Sequence, residues 1–479
     1  MSANDTTRMR APKGMRAGLR KVGSVGLAVA LAAATLTTIV AAGATASSAY
    51  TSPTQGIAAS SIPSSDGPIV VAVVLGQSGT DAADALAPYE VFARSTRFSV
   101  YTVAATSAPV ALNGGLSVMP TFTFADAASG AAPAPDLIVV PAVDEPDGAS
   151  EAELRKFVLN QYDRGGQILG ICAGARVLAA TGLLDGHHAT SHWSRLAQLR
   201  ESRPQVDWIA GQRYVQDGRI TTSAGVTSGI PAALRVVQQL ASDAEAERIG
   251  QEMAYPSWSL DGSTAIPAQR FAPSDLGVGL NAVLPWFRPT VGVALADGVS
   301  EVDAVAPFEV GSYSAAARVV PFGIGSSVIT AHGLVLLTTP ATEAPPAIDR
   351  VLIPETGDEG DRAALGHWAG SEGRPAAALR TASGHGGFDA ALEDLAAHDG
   401  RVLASSTAKM IDYPTVPTAG SQQWAEPRTI ALLVLAMALT VLAGFIPRFL
   451  RGLWTRRRRT RSPSVEEMPA PETHALVER

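Results

Sequence analysis

QILGICAGARVLAATG (167–182) reads as a short apolar strand, an abrupt turn at Cys172 and a helix closing on a glycine. The small residues Gly170, Ala173 and Gly174 permit a sharp turn. A cysteine placed there faces the unpaired N–H groups and the positive end of the helix dipole, and both favour thiolate over thiol. Cys172 is the single cysteine of 479 residues, which excludes an intrachain disulfide and any multi-cysteine metal site.

On either side of this stretch, strands alternate with helices. PIVVAVVL (68–75) and DLIVVPA (136–142) are continuous apolar runs of the kind a parallel strand covered on both faces needs. FSVYTVA (98–104) and RITTS (219–223) also read as strands. DALAPYEVF (84–92), EAELRKFVLNQYDRGG (151–166) and PAALRVVQQLA (231–241) read as helices. The alternation predicts an α/β fold with a parallel sheet.

Much of this unit recurs. DALAPYEVF (84–92) returns as DAVAPFEVG (303–311), and DLIVVPAVDE (136–145) as DRVLIPETGDE (349–359). AALRVVQQLASDAEAERIGQEMAYP (232–256) aligns without gaps to AALEDLAAHDGRVLASSTAKMIDYP (390–414). The offset falls from 213 to 158 between the last two matches, so the second copy lacks 55 residues there. The lost stretch covers QILGICAG and the TSHW segment, and the second copy is expected to be chemically silent.

ICAGARVLAATGLLDGHHATSHW (171–193), the acid of DALAPYEVF, and RITTSAGVTSGIPAAL (219–234) together resemble the ThiJ/PfpI superfamily of the class I glutamine amidotransferase-like fold. Its branches include the Parkinsonism-associated deglycase, isonitrile hydratase and the sensor domains of AraC-type regulators. The resemblance covers 69–258 closely and 290–414 loosely. It implies two tandem flavodoxin-like parallel-sheet sandwiches, the second degenerate, with Cys172 on a nucleophile elbow. It also implies that Cys172 is the reactive cysteine, that Asp84 is the acid hydrogen-bonded to it, and that His192 lies near the sulfur. The residue types agree, since a thiolate needs a proton carrier and an orienting group. Asp84 also suits a helix N-cap, His192 a structural histidine beside Trp193, and Glu90 the exposed face of its helix. Where many family hydrolases carry His after the cysteine, and isonitrile hydratase-like members Thr, this chain has Ala173. Ala142-Val143 replaces the family's glycine pair, which leaves the backbone N–H of Ala173 as the main oxyanion donor. The expected function is a cysteine-dependent hydrolase, lyase or deglycase-like enzyme on small electrophilic molecules. The alternative is a non-catalytic ligand- or redox-sensing module.

Other chemistries fit poorly. GQSGTDAADALA (76–87) lacks the GKS or GKT ending of a phosphate loop, and His187-His188 lacks a third metal ligand. Neither a cofactor nor a metal is implied. Charged residues are 17% of the chain, below the roughly 25% of an average soluble domain. Residues 1–21 and 447–479 hold 14 of the 37 Lys/Arg, leaving 23 against 39 Asp/Glu in between. An acidic body repels phosphate backbones, so no nucleic-acid partner is expected.

The termini suggest a compartment. A basic start, the apolar run 22–42 and small residues after it make 1–49 a signal peptide or N-terminal anchor, followed by a linker at 50–67. TIALLVLAMALTVLAGFI (429–446) carries no charge and precedes an arginine-rich tail at 447–479, the pattern of a transmembrane helix in a lipid bilayer with a cytoplasmic tail. The domains expected at 68–258 and 290–414, joined by linkers at 259–289 and 415–428, would then be extracytoplasmic. The two copies are expected to pair as an intrachain pseudo-dimer, with a homo-oligomer as the alternative.

Overall fold

The computed structural model describes residues 67–343, 347–355, 357–379, 387–422, 427–428 and 430–443. The chain divides into two compact units, Gly43–Thr429 and a second built from Met1–Ala42 and Ile430–Arg479. In the second unit, residues 430–443 are helical. Among the described residues no helix is long and apolar enough to cross a membrane, so the expected span at 429–446 finds no support there. Residues 1–66, which hold the signal-like segment, and 444–479, which hold the basic tail, lie outside the described residues.

The large unit holds two parallel sheets. The first is built from β1 (Ile69–Val74), β2 (Phe98–Ala104), β3 (Phe122–Thr123), β4 (Leu137–Val140), β5 (Gln167–Gly170), β6 (Tyr214–Asp217) and β7 (Ile220–Ser223), in the order β6-β7-β5-β4-β1-β2-β3. Only β6 runs antiparallel to its neighbour. Val71, Val73, Leu137 and Val139 face one buried cluster, and Ala72, Val74, Ile138 and Val140 the other. That alternation is why these strands are apolar at every position. Helices α1 (Ala82–Ala93), α2 (Ala152–Asp163), α3 (Gly174–Thr181), α4 (Gly229–Leu240) and α5 (Asp243–Met253) connect and cover the strands.

The second sheet repeats the frame with β8 (Thr290–Ala294), β9 (Arg318–Gly323), β10 (Thr339–Pro340), β11 (Arg350–Pro354) and β12 (Ala376–Leu379), ordered β10-β9-β8-β11-β12. Its helices include α6 (Glu301–Ser314), α7 (Gly387–Asp399) and α8 (Arg401–Met410). β12 pairs parallel with β11 in the place that β5 holds beside β4. In the first lobe residues 171–228 separate β5 from α4, whereas only 380–386 separate β12 from α7. The second lobe therefore has no room for a counterpart of α3.

The lobes pack across α1 and α6. Leu86, Phe92 and Ile230 of the first lobe share one buried cluster with Val305, Phe308 and Phe388 of the second. Each fully buried side chain of this size contributes on the order of 2 kcal/mol. A small antiparallel sheet also crosses the boundary, with Val118 opposite Leu336. The paired ends of the repeat meet as well: Tyr255 and Tyr413 stack edge to face at 5.9 Å. The stretch 259–289, expected as a linker, carries the helix Leu276–Val283.

Candidate active site

Cys172 sits between β5 and α3 with φ +55°, in the left-handed region that L-residues avoid at a cost of about 1–3 kcal/mol. Its surroundings hold it there. The Cys172 N–H donates to Ser223 Oγ (3.1 Å), and Ser191 Oγ donates to the Cys172 carbonyl (2.9 Å). Gly174 lets α3 approach the end of β4, since a Cβ there would lie 2.0 Å from the Val140 carbonyl oxygen. The elbow thus follows from a glycine and two serines supplied by three separate segments.

The Cys172 residue is 2% exposed and lines a cavity of about 430 Å³. Asp84 comes from the first turn of α1 and is fully buried. It is not the helix cap; that role falls to Asp81, whose Oδ1 accepts the Asp84 N–H at 3.3 Å. Asp84 Oδ2 accepts the Ala142 N–H at 3.0 Å. Its carboxyl also interacts with the Cys172 thiol, but Oδ1 has no hydrogen bond of ordinary geometry. Ala142, in the position of the missing glycine pair, spends its N–H on the acid.

The electrostatics run against the expected thiolate. Burial pushes the Cys172 thiol well above its ordinary range, and the acids Asp84, Asp81 and Glu309 push it the same way. The Ala173 N–H opposes them and does not prevail. The local helix end favours a negative sulfur, but burial among acids decides the outcome. Burial and the neighbouring Asp81 likewise raise Asp84 well above the carboxylate range, and burial raises Asp81 to about 6. Burial thus shifts both the thiol and the Asp84 carboxyl toward their protonated forms.

His192 lines the same cavity, but its ring nitrogens are engaged elsewhere. Nε2 lies 2.7 Å from the Met410 carbonyl oxygen in the second lobe, which makes Nε2 the protonated nitrogen. Nδ1 then accepts from Ser194 Oγ, also at 2.7 Å. Burial lowers its pKa to about 4, so the ring is neutral. The expected proton carrier beside Cys172 is instead a clasp between the lobes, and Trp193 Nε1 reinforces it by donating to the Lys409 carbonyl at 3.2 Å.

The second lobe supplies residues that the sequence reading missed. Tyr313 OH donates to Asp81 Oδ2 at 3.0 Å, and Asn113 Nδ2 bridges Asp81 Oδ2 and Glu309 Oε1 at 3.2 Å each. The signal for Glu309 was present in DAVAPFEVG, the repeat of the motif that holds Asp84. Glu90, expected on an exposed face, is 1% exposed and accepts the Val302 N–H at 2.7 Å. Among the described residues no group of three His, Cys, Asp or Glu is arranged to hold a metal ion.

Residues 70–239 match the DJ-1/PfpI family. Isonitrile hydratase of Pseudomonas putida is 31% identical over 179 residues, which cover 36% of this chain and 72% of that protein. The HTH-type transcriptional regulator CdhR of Pseudomonas aeruginosa is 35% identical over 140 residues, covering 29% of this chain and 40% of the regulator. Among solved structures, a THiJ/PfpI family protein from Pseudomonas syringae is 28% identical, with a TM-score of 0.35 and coverage of 41% of this chain and 81% of that one.

Proposed function

Since the chain belongs to the DJ-1/PfpI family, we propose that its first lobe is a cysteine-dependent enzyme acting on small electrophilic molecules, and that the second lobe completes the site without chemistry of its own. The observation that carries this reading is the strained Cys172 on a cavity wall, with the Asp84 carboxyl against its thiol. With an aldehyde in the cavity, the S–H bond breaks as an S–C bond forms to the carbonyl carbon. The Asp84 carboxyl relays the thiol proton to the carbonyl oxygen, and the product is a hemithioacetal. The Ala173 N–H, which interacts with the Cys172 sulfur, is the backbone donor assigned to the developing oxyanion in this reading. Tyr313 and Asn113 hold Asp81, which caps the helix carrying Asp84. The full chain should consume aldehydes such as methylglyoxal, and Cys172→Ala should abolish this. Unchanged consumption in that variant defeats the reading.

The buried thiol, shifted toward its protonated form, favours a second reading, in which the cavity binds a ligand without turning it over. Saturable binding of an aldehyde with no product formed supports it. We also place the globular part outside the cytoplasm, on the strength of the basic, apolar and small-residue order of residues 1–49. Protease access on intact cells tests that placement.

A further inference from the structure

Two guanidiniums, Arg176 from the first turns of α3 and Arg195 from the segment after His192, line the cavity that holds Cys172. Among the described residues neither side chain has a hydrogen-bond or ion-pair partner. Elsewhere in the fold Arg94, Arg203, Arg248 and Arg350 are paired with acids. Arg176 is half-buried. Desolvation first and Arg195 second make its charge costly, and Asp147 and Asp144 offset this only in part. Asp147 is already paired with Arg203 at 2.7 Å. Asp144 also lines the cavity, and Asp81, the other acid there, is committed to the helix cap, Asn113 and Tyr313. The wall beside the sulfur therefore carries two guanidiniums without a direct partner, Arg176 half-buried and Arg195 exposed, on the same cavity as the acids Asp144 and Asp81.

We propose that Arg176 and Arg195 form a clamp for a carboxylate, and that the site takes small monoanionic electrophiles carrying a carboxylate a few bonds from the carbon that Cys172 attacks. This deepens the reading of Cys172 as a nucleophile by naming the substrate class. A planar guanidinium fork matches a carboxylate in two parallel hydrogen bonds. With Asp144 and Asp81 on the same wall, a monoanion meets less repulsion than a dianionic phosphate ester would.

Cys172 is the only cysteine, so alkylation of the full-length protein reports on this wall whether or not turnover occurs. Iodoacetate and iodoacetamide deliver the same electrophilic carbon with and without a carboxylate. The ratio of their rate constants should exceed that of glutathione measured alongside. It should fall by roughly 10- to 100-fold in Arg176→Gln and in Arg195→Gln, the range expected for losing a charge-assisted contact. The ratio is internal to each variant, so a general change in thiol exposure cancels. Glyoxylate should likewise be preferred over methylglyoxal in kcat/KM, with both substitutions erasing the preference. A wild-type ratio no higher than that of glutathione, or a ratio unmoved by both substitutions, overturns the clamp. So does inorganic phosphate protecting Cys172 better than glycolate. An arginine-dependent ratio without consumption of any aldehyde upholds the clamp and defeats the enzymatic reading alone.

Discussion

Glu90 and Glu309 occupy the same position in two copies of one motif, and each accepts a backbone N–H from the other copy's helix start: Glu90 from Val302 at 2.7 Å, Glu309 from Ala83 at 3.2 Å. Val302 and Ala83 are themselves equivalent, each preceding the aspartate of its motif. The exchange is isologous, as across the twofold axis of a dimer, but it lies within one chain.

This exchange makes the lobe contact sensitive to pH. Burial raises Glu90 to about 7 from an ordinary 4.5. A carboxyl whose folded-state pKa is raised contributes most below its unfolded value, and the contribution is lost as pH rises through the folded value. The stability advantage of wild type over Glu90→Gln should therefore shrink between pH 4.5 and 7, by on the order of 3 kcal/mol. Urea midpoints of the two proteins across that range check it, and a pH-independent difference would refute it.

Asp84→Asn should separate thiol ionisation from turnover. Removing the acid takes away one of the charges that push the thiol up, so alkylation by iodoacetamide should extend to lower pH, about tenfold faster for each pKa unit gained. Aldehyde consumption should nevertheless drop by about 100-fold or more, because the proton relay is gone. Parallel pH profiles of alkylation and turnover provide the measurement.

His192→Ala should act on stability and leave thiol ionisation alone. It removes the hydrogen bond to the Met410 carbonyl, so a loss of about 1–3 kcal/mol is expected. In wild type the ring's folded-state pKa of about 4 lies below the ordinary 6.5. Its contribution is complete above 6.5 and is lost as pH falls from 6.5 towards 4. Denaturation at pH 7.5 and pH 4.5 should show the variant closer to wild type at the lower pH, with the iodoacetamide profile unmoved.

Gly174→Ala should disable the elbow. The added methyl would meet the Val140 carbonyl oxygen at 2.0 Å, and neither backbone can yield without shifting β4 or α3. A loss of roughly 3 kcal/mol or more and no measurable turnover are expected, read from thermal unfolding and the aldehyde assay. A wild-type melting temperature would contradict the close approach.

Much of the fold is legible in the sequence because it is local. The apolar runs 98–104 and 167–171 became β2 and β5, since doubly covered strands must be apolar throughout. What escaped was set by partners far along the chain. Glu90 lies on a helix buried from Ala82 to Phe92 on every face, because the second lobe covers the side expected to meet solvent. The thiolate expectation weighed the helix end next to Cys172 but not Glu309, whose negative charge 137 positions later raises the thiol. His192 lines the same cavity as Cys172, but its tautomer is fixed by a carbonyl 218 residues away.

The seven residues that separate β12 from α7, where 171–228 separate β5 from α4, bear on saturation behaviour. A symmetric dimer of this frame would offer two equivalent clefts and the prospect of cooperative filling. Here only the first lobe carries the cysteine, so one ligand per chain along a plain hyperbola is the expected titration, while the second lobe presents Tyr313 and the Met410 carbonyl to its twin.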